Sequence, residues 1–336
     1  MFDSHHAHQR PVGEAASRPA VSFNARAGAA ELDELGTRLT PPCRAGEYTL
    51  TGQIARTSNT LVYTATGGVF GTVEGVLKLT GAEYAPLLER ELQLLNRCRE
   101  CEVKGIVQPA AGTLIRLPAT PHSAATGAVA IALPFLSGGD LVQLIQTHAA
   151  RAHRLGPELA LHVGRQIIAV LRDLLLLERP IVHGDVKLQN VLLPRPDAPL
   201  TELTLIDLDS ARELTLPLSR LAEAPPESAV WLAEDVRAFG ELLYQVATGH
   251  QLAPDQRSNG VSATGNPAFD TLVWRCFESA VDPARGYVCL ADEGLRVDLQ
   301  RAVDAAASQR SWPARLQQRL MGFISWRRPA GHDVGQ

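Results

Sequence analysis

His183-Gly184-Asp185-Val186-Lys187-Leu188-Gln189-Asn190 is entered from the apolar pair Ile181-Val182 and left through the apolar run Val191-Leu192-Leu193. A turn at Pro194-Arg195-Pro196-Asp197 follows, and then Leu203-Thr204-Leu205-Ile206, ending on Asp207. Short apolar runs on either side of a Pro/Asp turn predict a strand hairpin. Such a hairpin returns Asp207 to the side of Asn190. The loop before it carries one carboxylate, one ammonium and one amide, at offsets 0, +2 and +5.

Those groups suit phosphoryl transfer. Mg²⁺ prefers a few hard oxygen ligands and takes the rest from substrate phosphate and water. Asn190 and Asp207 are the candidate metal ligands. Asp185 is placed to accept the proton of an attacking hydroxyl, and Lys187 to neutralise charge on the moving phosphoryl group. Little covalent chemistry is asked of the protein, so positioning and electrostatics carry the rate. A single Asp or Asn in a loop would mean nothing; the ordered set, followed by an apolar-Asp turn, carries the reading.

Lysine usage sharpens it. The chain has 32 Lys plus Arg, but its lysines are only Lys78, Lys104 and Lys187. A coding bias toward Arg explains the general trend. A compact ammonium and a planar guanidinium are nevertheless not interchangeable at a tight phosphate site, so the surviving lysines mark positions worth following.

The stretch 183–190 resembles the catalytic loop H-R-D-x-K-x-x-N of eukaryotic-type protein kinases, and Asp207-Leu208-Asp209 stands where that family has D-F-G. The resemblance covers about residues 47–300. Val76-Leu77-Lys78 resembles the third-strand V-A-I-K, which implies that Lys78 binds the nucleotide phosphates. Arg90-Glu91-Leu92 resembles the partner helix, which makes Glu91 the carboxylate orienting Lys78. Pro134-Phe135-Leu136 falls at the hinge, with Leu133 beside the adenine pocket and the Leu136 backbone pairing with adenine. Val62, Val76 and Leu192 are implied as pocket lining. Ala224-Pro225-Pro226-Glu227, Asp235-Val236-Arg237-Ala238-Phe239-Gly240 and Asp282-Pro283-Ala284-Arg285 resemble the family's A-P-E, D-V-W-S-x-G and D-P-x-x-R segments, which predicts a buried Glu227–Arg285 ion pair. ATP and Mg²⁺ are the implied cofactors, and Lys187 points to serine/threonine hydroxyls of a protein substrate.

The sequence departs from the family in places. Ala55, Thr57 and Thr60 occupy the three positions of the glycine-rich phosphate loop, where glycine lets backbone approach phosphate closely. The Thr57, Ser58 and Thr60 hydroxyls are left as candidate phosphate contacts. Gly184 replaces the arginine that answers a phosphate on the activation segment, which argues against that switch. Asp209 replaces the glycine of D-F-G. Two alternatives stay open: a pseudokinase acting as a binding or scaffold module, and a small-molecule phosphotransferase, since H-G-D with Asn five residues on also resembles aminoglycoside and choline kinases.

Periodicity predicts the rest. Strands are expected over 48–65, 75–79, 113–117 and 128–136, and helices over 83–98, 141–151, 158–177, 232–248, 267–279 and 295–308. The fold class is α+β: a bilobal, kinase-like chain with a small β-rich lobe (47–136, including the hinge) and a larger helical lobe (137–305). Residues 1–46 lack a clear apolar period and read as disordered. Residues 306–336 form a basic amphipathic tail, in which 310–328 is a candidate contact for a membrane surface or a partner. A formal net charge of −4 argues against nucleic acid as the main partner. No signal peptide or apolar span is visible, so a cytoplasmic protein is expected. The five cysteines do not suggest a disulfide framework, and Cys98 and Cys101 read as helix-end residues.

Overall fold

The computed structural model describes residues 25–117, 128–150, 156–251, 264–279 and 286–308. The architecture is α+β in two lobes, as the sequence predicts. The first lobe holds strands β1 (Cys43–Ala45), β2 (Tyr48–Arg56), β3 (Leu61–Gly67), β4 (Gly75–Thr80), β5 (Ile115–Arg116) and β6 (Val129–Pro134) in an antiparallel sheet of order β1-β2-β3-β4-β6-β5. Helices α1 (Ala25–Arg38) and α2 (Ala85–Glu100) accompany it.

Period-2 alternation divides the sheet into two faces. Leu61, Tyr63, Ala65, Leu77, Leu79, Ala130 and Ala132 are buried in one core with Leu32, Leu35 and Leu39 at the α1 end of the lobe. The opposite face carries Val62, Val76 and Lys78, with Val62 paired to Lys78 and Val76 to Leu133. On that side Leu88, Leu92 and Leu95 of α2 join the large core that continues through the second lobe.

The expectation of disorder over 1–46 is therefore corrected for residues 25–46. Leu32, Leu35 and Leu39 recur at helical spacing and are almost fully buried. The Glu31 carboxylate also accepts the N–H groups of Ala82 (3.0 Å) and Glu83 (3.4 Å) in the 3₁₀ turn that leads into α2. Those N–H groups sit at a helix entrance with no intrahelical partner, and an acidic side chain satisfies them. The ring of Tyr84 lies against Gly28, where an added Cβ would come within 2.4 Å of it. Residues 1–24 lie outside the described residues.

The second lobe contains α3 (Leu141–Ala150), α4 (Gly156–Leu175), α5 (Pro226–Thr248), α6 (Pro267–Glu278) and α7 (Glu293–Ser308). Helix α4 buries Leu161, Val163, Ile167, Leu171 and Leu174. Gly164 lets it close on Leu243 and Phe239 of α5, because a Cβ there would meet Leu243 at 2.5 Å. Helix α6 opens with the Asn266 side chain accepting the Phe269 N–H at 3.1 Å and with Pro267 at its first position. Asp298, nearly buried in α7, takes Tyr287 Oη at 2.9 Å and pairs with Arg275. The expected burial of a Glu227–Arg285 pair is corrected, since Glu227 is exposed; Arg285 lies outside the described residues, as does the tail over 309–336. No helix among the described residues is long and apolar enough to cross a membrane.

Two short strand pairs lie between α4 and α5. β8 (Val191–Leu192) pairs with β9 (Thr204–Leu205), and β7 (Ile181–Val182) pairs with β10 (Arg212–Glu213). Both are antiparallel, and together they hold residues 183–190 and 206–211 as two facing loops.

Candidate active site

The β8–β9 hairpin pairs Val191 with Leu205, and the Ile206 N–H donates to the Asn190 carbonyl at 2.9 Å. Asp207 thus returns beside Asn190, as the turn chemistry predicts. Asp207 has φ 71, a left-handed conformation that turns the chain sharply just after β9.

The loop 183–190 is fixed from beneath. Asp235, buried in α5, accepts the His183 N–H and the Gly184 N–H, both at 2.8 Å. His183 is fully buried, and burial holds its imidazole below the ordinary range despite the nearby Asp235, Asp207 and Asp185. As a neutral ring it donates from Nε2 to the Ile206 carbonyl (3.2 Å) and accepts the Asp185 N–H at Nδ1 (3.3 Å). One imidazole therefore ties the two loops together.

Asp185 Oδ2 receives Lys187 Nζ at 2.5 Å and Asn190 Nδ2 at 2.9 Å. Asn190 Nδ2 also donates to the Asp185 carbonyl at 2.8 Å. With its nitrogen committed in this way, Asn190 has its amide oxygen left as an acceptor. Asn190 Oδ1 and the Asp207 carboxylate are the oxygen donors that suit a hard cation. No group of three or more His, Cys, Asp or Glu side chains among the described residues is placed to hold a metal by itself.

Across the cleft, Lys78 Nζ lies 2.9 Å from Glu91 Oε2, 2.5 Å from Asp207 Oδ1 and 4.0 Å from Asp209 Oδ2. Burial alone would depress the ammonium, but the three carboxylates outweigh it and hold Lys78 above the ordinary lysine range. Lys78 does not satisfy all of them equally. Burial raises Glu91, with the like charges of Asp207 and Asp209 adding to it against Lys78. Asp207 is lowered, because Lys78 overcomes the effect of burial there. Asp209, at the position where the family has glycine, makes this corner more acidic.

Val62, Val76, Leu133, Leu136 and Leu192 are each half-buried. Val62 and Val76 share the Lys78 face of the sheet, and Leu136 lies just beyond β6. The Ser137 and Gly138 N–H groups donate to the Pro194 (3.2 Å) and Leu193 (3.1 Å) carbonyls, which fastens this connection to the β8–β9 hairpin.

The turn after β2 is built differently from a glycine loop. Ala55 is exposed at the end of the strand, whereas Thr60 is buried. Thr57 Oγ1 accepts the N–H of Thr60 (3.1 Å) and of Asn59 (3.4 Å), and lies 2.8 Å from the Thr60 hydroxyl. The Thr57 N–H donates to the Thr60 carbonyl at 2.9 Å, and Thr80 Oγ1 donates to the Asn59 carbonyl at 2.5 Å. The threonines satisfy the turn internally instead of leaving its amides open.

Sequence reasoning singled out Lys78, Glu91, Asp185, Lys187, Asn190 and Asp207, and the structure brings them near one another. It missed the arginines of α2. Arg90 donates to the Ala211 carbonyl at 2.9 Å, and Arg97 to the Arg179 carbonyl at 2.7 Å while pairing with Glu213. It also gave Asp235 no site role, although the acidic start of the Asp235-Val236 segment was the available signal. Cys98 is buried in the last turn of α2, and Cys101 is exposed just beyond it.

No protein-family model and no curated protein sequence matches this chain. Among solved structures, the chain is similar to one described as the BubR1 kinase domain, with a TM-score of 0.59 and 13% identity. The match covers 90% of this chain and 99% of that one. The fold is kinase-like.

Proposed function

We propose that this chain, with its kinase-like fold, transfers a phosphoryl group from ATP to serine or threonine hydroxyls of a protein substrate, using Mg²⁺. The observation that carries the reading is the convergence of Asp185, Lys187 and Asn190 with Asp207 and the Lys78–Glu91 pair. In this reading Val62, Val76, Leu192 and the Leu136 backbone hold the adenine, and Lys78 holds the phosphates. Asn190 and Asp207 would hold Mg²⁺, which supplies charge neutralisation at the phosphates. Asp185 orients the acceptor hydroxyl and takes its proton. Lys187, 2.5 Å from Asp185, supplies positive charge where the transferred group passes.

A second reading is favoured by one observation, the self-satisfied turn at 57–60. The Thr57, Asn59 and Thr60 amides are already bonded, so nucleotide is held with fewer contacts, and a binding or scaffold module on the same fold is consistent with that.

The deciding experiment measures Mg²⁺-dependent transfer from labelled ATP to the protein itself, to a generic protein and to amine or sugar-alcohol acceptors. Wild type is compared with Asp185→Ala and Lys78→Arg. The proposal expects protein phosphorylation and a loss of at least ~10²-fold in each variant. Transfer to small alcohols alone would move the acceptor class. Absence of any transfer, together with no ATP-dependent thermal shift, would leave the binding-module reading.

A further inference from the structure

Helix α2 carries Glu91, and two of its arginines reach across to the second lobe. Arg90 and Arg97 lie seven residues apart, about two helical turns, and so share one side of the helix. Arg90 donates to the Ala211 carbonyl at 2.9 Å, four residues after Asp207. Arg97 pairs through one nitrogen with Glu213 and donates through another to the Arg179 carbonyl at 2.7 Å. Glu213 lies in β10, opposite Ile181 of β7, and Arg179 NH2 approaches its second carboxylate oxygen at 3.7 Å. The Leu214 N–H, donating to the Pro180 carbonyl at 2.8 Å, continues the same ladder. Arg97 therefore grips β10 and the residues just before β7, the strand pair from which the catalytic loop and the Asp207 loop emerge. The Arg97 and Glu213 side chains are each 24% exposed, so water screens the pair only in part.

We propose that Arg97 is a positioning residue, bracing α2 against Glu213 so that Glu91 is permanently seated on Lys78. The inference rests on the phosphoryl-transfer reading for its consequence, though not for its geometry. A carboxylate built into β10 provides a fixed anion for the helix arginine. Gly184 brings no side-chain cation of its own to residues 210–213. The structure meets that need from α2, through Arg97 on Glu213 and Arg90 on the Ala211 carbonyl. No covalent modification is then required to assemble the site. Arg90 adds a neutral contact to the same segment, which limits how far Ala211 can move away from the helix.

The test compares the full chain with Arg97→Ala, Glu213→Ala, Arg97→Lys and the reversed pair Arg97→Glu/Glu213→Arg. Amide hydrogen exchange over residues 85–100 and 207–213 is read beside phosphoryl transfer. Each alanine variant is expected to speed exchange in both segments by about ten-fold or more, since local opening reports the lost brace. Transfer falls with it, mainly in kcat, and phosphatase treatment of wild type changes nothing. The reversed pair restores part of both, and Arg97→Lys falls between. Exchange unchanged in the alanine variants overturns the brace, whether or not wild type transfers phosphate. Faster exchange with undiminished transfer overturns the positioning role. A wild type without transfer overturns the functional reading, and exchange alone then decides the brace. Activity lost on phosphatase treatment overturns the claim that the site needs no modification.

Discussion

A Cβ added to Gly184 would lie 2.6 Å from the carbonyl oxygen of Ser210. Gly184 also has φ 78, so two independent restrictions fall on one residue. Gly184 is thus what lets the 183–190 loop and the Asp207 loop pack face to face. Gly184→Arg, which would restore the family's H-R-D, should lower stability by about 2–3 kcal/mol. Denaturant midpoints at constant m-value check this, and an unchanged midpoint would show that the loops part without strain.

Lys78 answers three carboxylates, and its removal leaves Glu91 buried with no cation. Lys78→Met should cost about 3–5 kcal/mol near neutral pH. Removing the stranded carboxylate as well, in Lys78→Met/Glu91→Leu, should recover a substantial part of that loss. A double-mutant cycle measures the coupling. Simple additivity of the two losses would mean that the pair is not held as described.

Thr57 closes its turn with one hydroxyl. Thr57→Gly deletes that acceptor and frees the Asn59 and Thr60 amides, at a stability cost of about 0.5–1.5 kcal/mol. Titration calorimetry with Mg-ATP should then show tighter binding, because two backbone donors become available. Weaker binding would instead assign the Thr57 hydroxyl itself to the phosphates.

His183 sets a pH dependence. Its folded-state value lies below the ordinary 6.5 because of burial, so below that pH the unfolded chain binds the extra proton first. The contribution is complete above about pH 6.5 and is lost as pH falls, by up to roughly 1.4 kcal/mol per pH unit until the folded value is reached. Urea melts of wild type and His183→Gln between pH 7 and pH 5 check the sign. A variant with the same slope as wild type would exclude His183 as its source.

Much of this arrangement is legible in the sequence because its signals are local. The loop 183–190 and the apolar run ending at Asp207 are joined by a short turn, so hairpin chemistry alone predicts their meeting. Lys78 and Glu91 are far from that loop, and their role is readable only through resemblance. The Arg97–Glu213 pair spans 116 positions. Charge pairing at that separation leaves no periodicity in either segment, and Arg is common along the chain. Helix α1 is hidden for another reason: Gly28 and Gly36 interrupt an alanine-rich stretch, and only three leucines at spacings of three and four mark its buried face. The closure of the Thr57 turn depends on side-chain rotamers, which composition does not encode.

The docking of α1 bears on how the molecule can be handled. A chain begun at residue 47, where the strand signals start, would lose Leu32, Leu35 and Leu39 from the small core. It would lay bare the sheet face built on Leu61, Tyr63 and Leu77. An uncovered apolar sheet face is a self-association hazard. Such a fragment would gather into aggregates at concentrations the longer chain tolerates, and its failure in an assay would report on solubility before it reported on chemistry.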